Sequence, residues 1–422
     1  MATFEQANLS QLEQNSKSNT DKSNTTCIPI SKICSHSEKM SRLYKNLKLN
    51  NLISTYNAPS WVRPDISDKF IPEEKLNLSL TNTPIQKWDL SAAKKAGFNL
   101  FIKREDLNDN VLGGNKIKKL EFSIAKAIRN GHDHILTTGS VLSNHCRTTA
   151  ICCSKLGLKC TLLQTSDQEP KDILTKGNIL LSLMTAAKCV LLPGDTSKED
   201  VNLFLKRAEE KIGQETEEGI KPYMILRGGT QADGIFSYIE IFDEIIRQTE
   251  SAEENQITDI VVTSGSGGTA ISLALASKLS GKNIKIHAVR IWGNNENGVE
   301  IYKKELSEIG LDYNNPKFNV HDTINYYDQY VGQGYGISNQ KIDNLVLNSM
   351  RDTGIPLCTT YTGKTAAGMV DLMENRPDVF KGKNVLFLHT GGIPGLWGDE
   401  NLHRAVGGAI GDGRILRVDD YL

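Results

Sequence analysis

Lys116 stands directly after Gly113-Gly114-Asn115 and opens a stretch with helical spacing. A lysine in a first helical turn feels the positive end of the helix dipole, and any desolvation adds to that effect. Both lower its pKa and favour the neutral amine, which can attack an aldehyde to form an imine. The alternative is a solvated first-turn lysine without chemistry. Lys118 and Lys119 beside it read as surface charges.

Two further glycine-containing turns join strand-like to helix-like segments. One is Thr137-Thr138-Gly139-Ser140-Val141-Leu142-Ser143-Asn144-His145, and the other is Thr263-Ser264-Gly265-Ser266-Gly267-Gly268-Thr269. A glycine loop between a strand and a helix presents unpaired N–H groups and the positive helix end to an anion. Ser266 and Thr269 add hydroxyl donors. A tight turn with no ligand is the competing reading. Gly265-x-Gly267-x-x-Ala270 formally matches a dinucleotide fingerprint, which requires an acid about 20 residues on. No Asp or Glu occurs between Ala270 and Asn295, so a monophosphate suits the loop better. Gly363-Lys364-Thr365 lacks the upstream glycine of a nucleotide P-loop, because Cys358 occupies that position.

The elements that must hold these turns alternate along the chain. Strand patterns cover 98–103, 134–137, 160–164, 189–192, 223–226, 259–263, 284–292 and 384–389. Helical patterns cover 115–129, 147–156, 179–187, 234–248 and 269–279. In the first helix Ile117, Leu120, Ile124 and Ala127 share one stripe. Strands apolar on both faces, alternating with helices, imply parallel sheets covered by helices. Two open, twisted, mostly parallel sheets fit 422 residues better than one.

The first ~60 residues are polar, rich in Asn, Ser, Thr, Gln and Lys, and read as a disordered tail. Net charge is -1, from 49 basic and 50 acidic residues, which gives no reason to expect nucleic acid or a membrane as partner. No run approaches the roughly 18 apolar residues of a membrane helix. The eight cysteines form no Cys-x-x-Cys pair and read as reduced, buried thiols; the histidines are equally scattered, so no metal site is expected. A cytoplasmic location follows as the default. Acidic residues and no arginine before Arg42 argue against a mitochondrial leader without excluding it.

Taken together, the blocks resemble a known family. Lys103-Arg104-Glu105-Asp106-Leu107 followed by Gly113-Gly114-Asn115-Lys116 is similar to the lysine segment of D-cysteine desulfhydrases and 1-aminocyclopropane-1-carboxylate deaminases. Ser143-Asn144-His145, Gly332-x-Gly334-Tyr335-Gly336, Tyr361-Thr362-Gly363-Lys364 and His389-Thr390-Gly391-Gly392-Ile393-Pro394-Gly395 resemble further family blocks in the same order. The likeness runs from Asn82 to Gly398. It implies fold type II, the tryptophan-synthase-β-like group, with pyridoxal 5′-phosphate as cofactor and a small amino acid as substrate. It also implies a homodimer, with a large cofactor domain (61–118 and 230–422) and a small α/β domain (119–229).

By that resemblance Lys116 holds the cofactor aldehyde, with Asn115 beside it. Gly265, Ser266, Gly267, Gly268 and Thr269 cradle the phosphate, and Thr390 meets the pyridine nitrogen. Ser143, Asn144, His145, Tyr335, Tyr361 and Thr362 face the substrate, with Ser143, Tyr335 and Tyr361 joining Lys116 in catalysis. The Cα proton goes either to the freed lysine or to a tyrosine. Cyclopropane deaminases carry Glu where this chain has Thr362, and Leu where it has Thr390. A neutral hydroxyl at the ring nitrogen makes a weaker electron sink, sufficient for β-elimination. The implied reaction is therefore D-cysteine to pyruvate, hydrogen sulfide and ammonia. A cyclopropane deaminase, a lyase for another β-substituted amino acid, and a catalytically silent relative are the alternatives. Leu142 for the family's Gln, Arg227-Gly228-Gly229-Thr230 for Pro-x-Gly-Gly-Ser, and Trp397-Gly398-Asp399 are departures that bear on substrate choice.

Overall fold

In the computed structural model the described residues are 52–109, 113–215, 222–250, 256–293, 296–320, 322–400, 402, 403, 406 and 407. Most of the expected tail (1–51), Cys27, Cys34, Val111 and Leu112 lie outside them. The described residues nevertheless begin inside the stretch read as tail. Strand β1 (Ile53–Thr55) pairs antiparallel with β2 (Glu74–Leu76), and Ile53 and Tyr56 are buried.

One sheet holds six strands in the order β11-β10-β9-β12-β4-β3: β3 (Ile85–Lys87), β4 (Asn99–Lys103), β9 (Asp259–Ser264), β10 (Lys285–Arg290), β11 (Ile324–Tyr327) and β12 (Asn384–Leu388). All pairs are parallel except β3 with β4 at one edge. The other sheet is wholly parallel, in the order β7-β6-β5-β8: β5 (His134–Ser140), β6 (Lys159–Ser166), β7 (Lys188–Pro193) and β8 (Tyr223–Ile225). The expected pair of mostly parallel sheets is present. β3 and β11 escaped the sequence reading because they are only 3 and 4 residues long, too short to set up a period.

The helices are α1 (Ser91–Lys95), α2 (Asn115–Arg129), α3 (Asn144–Leu156), α4 (Gly177–Leu183), α5 (Lys198–Glu215), α6 (Ile235–Thr249), α7 (Gly268–Leu279), α8 (Glu296–Glu308), α9 (Gln340–Thr353) and α10 (Thr362–Asn375). α7 is apolar almost all round and buried along its length, since it packs on the large sheet and under α6. α2 is the bridge between the two sheets. Its stripe of Ile117, Leu120, Ile124 and Ile128 sits in the core of the four-stranded sheet with Ile135, Leu162 and Ile225. Four such buried side chains, at about 1.5–3 kcal/mol each, anchor the helix firmly. Its opposite face is charged and meets α6.

That charged face corrects the expectation of surface lysines. Lys118 is 0% exposed and Lys119 2%. Lys118 lies 3.5 Å from Glu244 on α6, which also accepts a 2.9 Å bond from Lys103. Glu244 is itself buried among Lys103 and Lys118, so the cluster of acids and lysines is shut away from water. A lysine leaving water costs several kcal/mol, so these acids are what make its burial tolerable. Sequence spacing alone places a lysine on a helix face; it does not say that a second helix covers that face.

Candidate active site

The loops that follow β4, β5, β8, β9 and β12 all leave the carboxyl ends of parallel strands, the usual place for a ligand crevice in open α/β sheets. Two of the contacts between them are backbone to backbone. Gly114 bridges Gly391 across the end of β12, and the Asn115 N–H donates to the Thr390 carbonyl at 3.2 Å. Gly114 has φ 140°, and a Cβ there would stand 2.9 Å from the Thr390 oxygen. The Asn108 side chain closes the loop from the other side, accepting from Gly114 N–H at 2.9 Å and donating to the Gly114 carbonyl at 3.2 Å.

This closure fixes the first turn of α2. Lys116 Nζ donates to the Gly228 carbonyl at 3.1 Å, in the loop after β8. Burial pushes its pKa well below the ordinary lysine range, and the positive charge of Lys119 pushes it further. The neutral amine expected from the sequence therefore has a definite cause here: burial first, and a second lysine.

Asn115 Nδ2 reaches the Tyr238 hydroxyl at 2.6 Å, and Thr269 Oγ1 donates to the same hydroxyl at 2.8 Å. Lysine segment and glycine loop are thus tied through one buried tyrosine. In that loop Gly267 (φ 92°) precedes α7, whose first turn has no side-chain cap. Thr230 Oγ1 donates to Ser266 Oγ at 2.7 Å. A methyl on Gly268 would stand 3.3 Å from Lys119 Nζ, so the lysine ends at the opening of α7. Uncapped N–H groups, a helix dipole, two hydroxyls and an ammonium make a donor set for a phosphate. The residues present fit the phosphate arm of pyridoxal phosphate, with Lys116 across the crevice for its aldehyde.

Helix α3 begins at Asn144, three residues earlier than its periodicity suggests, because Ser143 caps it by accepting from Cys146 N–H at 3.2 Å. Thr137 gives its proton to the Ile225 carbonyl at 2.6 Å, so His145 Nε2–H is the donor in the 2.9 Å contact with Thr137 Oγ1. The other ring nitrogen of His145 and the side-chain amide oxygen Oδ1 of Asn144 are buried with no partner among the described residues. Burial, then Lys116 and Lys119, hold the imidazole neutral. Tyr335 and Tyr361 meet hydroxyl to hydroxyl, rings edge to face. Burial raises both phenol pKa values, that of Tyr361 the more.

Thr390 lies in the closure with Asn115. Thr362 is placed differently: its hydroxyl accepts from Cys358 N–H at 2.9 Å at the start of α10, so it shapes the turn that carries Tyr361. Sequence reasoning missed Tyr238, Thr230 and Lys119, which sit on separate elements or, in the case of Lys119, on a face assumed to be wet. The departures also have places. Leu142 Cδ1 approaches Gly336 beside Tyr335, and the Arg227 guanidinium lies 5.9 Å from the Trp292 ring at the crevice rim.

Comparison with known proteins agrees with this geometry. Residues 76–391 match the family model described as "Pyridoxal-phosphate dependent enzyme". The chain belongs to that family, and it is a pyridoxal-phosphate-dependent lyase of fold type II. It is 33% identical over 356 residues to an Arabidopsis thaliana protein named "Bifunctional D-cysteine desulfhydrase/1-aminocyclopropane-1-carboxylate deaminase, mitochondrial", covering 81% of this chain and 83% of that one. A crystal structure titled as that of an ACC deaminase homologue superposes with TM-score 0.69 at 28% identity, over 80% of this chain and 96% of the other. A tomato (Solanum lycopersicum) threonine deaminase isoform shares the fold at TM-score 0.54 and 16% identity, over 78% of this chain and 88% of that one.

Proposed function

We propose that this enzyme removes sulfide from D-cysteine, giving pyruvate, hydrogen sulfide and ammonia with uptake of one water. When bound, pyridoxal phosphate supplies the electron sink that stabilises negative charge at Cα. The chain's own residues do the rest. The capped start of α3, with Ser143 and Asn144, suits the substrate carboxylate. Lys116, kept neutral by burial, is the group able to accept a proton at its Nζ. The two tyrosines joined at their hydroxyls are the groups that would offer a proton to the departing sulfur.

The observation that carries the choice of reaction is Thr390. Its backbone is pinned against Asn115, and neither it nor Thr362, where the cyclopropane deaminases that the chain resembles carry Leu and Glu, supplies the carboxylate that would deepen the electron sink. A hydroxyl there favours expulsion of a leaving group over opening of a carbon ring. Leu142, standing against the Tyr335 loop, adds an apolar wall suited to a small thiol-bearing side chain. The six described cysteines are free thiols, five of them buried, which suits a reducing compartment such as the cytosol or the mitochondrial matrix.

The test is release of sulfide and pyruvate from D- and L-cysteine, beside ammonia release from 1-aminocyclopropane-1-carboxylate. Sulfide from the D-enantiomer, lost in Lys116→Ala, is expected. Ammonia from the cyclopropane acid with no sulfide from either cysteine would reverse the assignment.

A further inference from the structure

Glu305, on α8, reaches the same point as Lys119 from the other side. A methyl on Gly268 would stand 3.6 Å from one Glu305 carboxylate oxygen and 3.3 Å from Lys119 Nζ. Glu305 is 4% exposed, and its second oxygen is buried with no hydrogen-bond partner among the described residues. An acid at the mouth of an anion cradle is unexpected, because as a carboxylate it repels the phosphate that the helix end and Lys119 attract. As a neutral acid it becomes a donor instead. We propose that Glu305 is the proton-carrying member of the phosphate site, and that it takes up a proton from solvent when the cofactor phosphate docks. The proposal rests on reading the Gly265–Thr269 cradle as the phosphate site.

The groups around Glu305 permit this. Lys119 faces it from α2 and Tyr326 from β11, while Tyr302 and Glu308 lie on its own helix. Burial pushes its carboxyl up to about 7 against the opposing pull of Lys119, and burial pushes Lys119 down to about 8. Free of phosphate, the site at alkaline pH therefore carries a carboxylate and a lysine that is losing its charge. With a phosphate dianion bound, both groups are favoured in their protonated forms, and the site's net charge rises to meet the ligand. Between about pH 7.5 and 9 the phosphate's own second ionisation, near 6, is complete and adds no slope. Cofactor binding should thus weaken with rising pH through that window, Lys119 and Glu305 each contributing up to tenfold per unit.

The experiment is equilibrium capture of pyridoxal phosphate and of pyridoxal, which has the aldehyde without the phosphate, by wild type and Glu305→Gln, followed by absorbance. The pyridoxal phosphate Kd of the wild type is expected to rise more steeply with pH than that of the variant, by up to tenfold per pH unit. The pyridoxal slopes of the two proteins are expected to coincide. Equal pyridoxal phosphate slopes, or an equal change in both aldehydes' slopes, overturn the proposal. Calorimetry of wild type alone, in two buffers of different ionisation enthalpy, stands if the variant fails to fold. At about pH 8.5 pyridoxal phosphate should draw between one and two protons more than pyridoxal, and one or fewer overturns the proposal. If wild type captures neither aldehyde, it is the assignment of Lys116 that has failed, and the Glu305 proposal falls with it.

Discussion

Lys364 Nζ donates to the carbonyl of Gly334 at 2.6 Å, and to that of Val331 at 2.8 Å. Lys364 lies one turn beyond Tyr361, and Gly334 is the residue before Tyr335. One buried lysine therefore sets the loop of one tyrosine against the helix of the other. Replacing it with methionine keeps the stem and removes bonds worth about 1.5–3 kcal/mol each. Lys364→Met is expected to reduce kcat by up to about 100-fold, with a much smaller change in KM, because reacting groups misplaced by about 1 Å lose that much. Steady-state kinetics beside a thermal melt check this. An unchanged kcat in a folded variant would mean that Tyr335 needs no such anchor.

Gly114 tests the closure. An alanine there must hold φ near 140° with its methyl 2.9 Å from the Thr390 oxygen. Strain of about 1–3 kcal/mol is expected from the backbone alone, before the clash. Because Asn115 and Lys116 follow immediately, Gly114→Ala should lower cofactor capture far more than it lowers Tm. Gly97→Ala, at φ 76° with open space around it, is the control that carries backbone strain without the clash. Similar cofactor affinity in the two variants would show that the contact with Thr390 does not matter.

How much of this could be read from the residues alone depends on range. The strands from 134 to 192 and the helix from 115 to 129 announce themselves through local period. The lysine and the tyrosines do so through block order, and the glycine loop through its place between a strand and a helix. Lys118 and Lys119 were misread because burial of one helix face is decided by α6 and by the glycine loop, more than 100 residues away. Ile53–Thr55 was absorbed into the tail because three residues hold no period, and its partner Glu74–Leu76 is no longer. Glu305 carries no local mark at all. Among Lys303, Lys304 and Glu308 it looks like any residue of a charged helix, and only the packing of α8 against the start of α7 sets it apart.

The buried charges on α6 predict an acid-sensitive fold. Burial raises the Glu244 carboxyl, but Lys118 and Lys103 more than cancel this and hold it below the usual range. A carboxyl lowered on folding stabilises the native state above its unfolded pKa, near 4.3, and loses that contribution as pH falls through the lower folded value. Glu244→Gln should cost about 3–5 kcal/mol at neutral pH, since it leaves two lysines buried beside one fewer charge. The deficit should shrink on acidification below about pH 4. Urea unfolding at several pH values measures it, and a pH-independent deficit would point to packing rather than charge.

Lys119 separates the two ends of the cofactor. Its ammonium ends at the opening of α7, while the amine of Lys116, one turn earlier on α2, reaches the Gly228 carbonyl, yet the charge of Lys119 depresses the Lys116 pKa. Lys119→Met therefore has two effects of opposite sign. It removes a charge-assisted bond to phosphate, worth about 1.5–3 kcal/mol or roughly 10- to 150-fold in Kd. It also lifts one of the two causes that keep Lys116 low, leaving burial to hold the amine neutral. Pyridoxal phosphate should thus bind 10- to 150-fold more weakly, whereas pyridoxal capture at pH 8 should fall only slightly, through the small rise in the Lys116 pKa. Adding inorganic phosphate should compete with pyridoxal phosphate in wild type and hardly at all in the variant. Equal losses for the two aldehydes would place Lys119 at the reacting end and refute its role as the cation of the cradle.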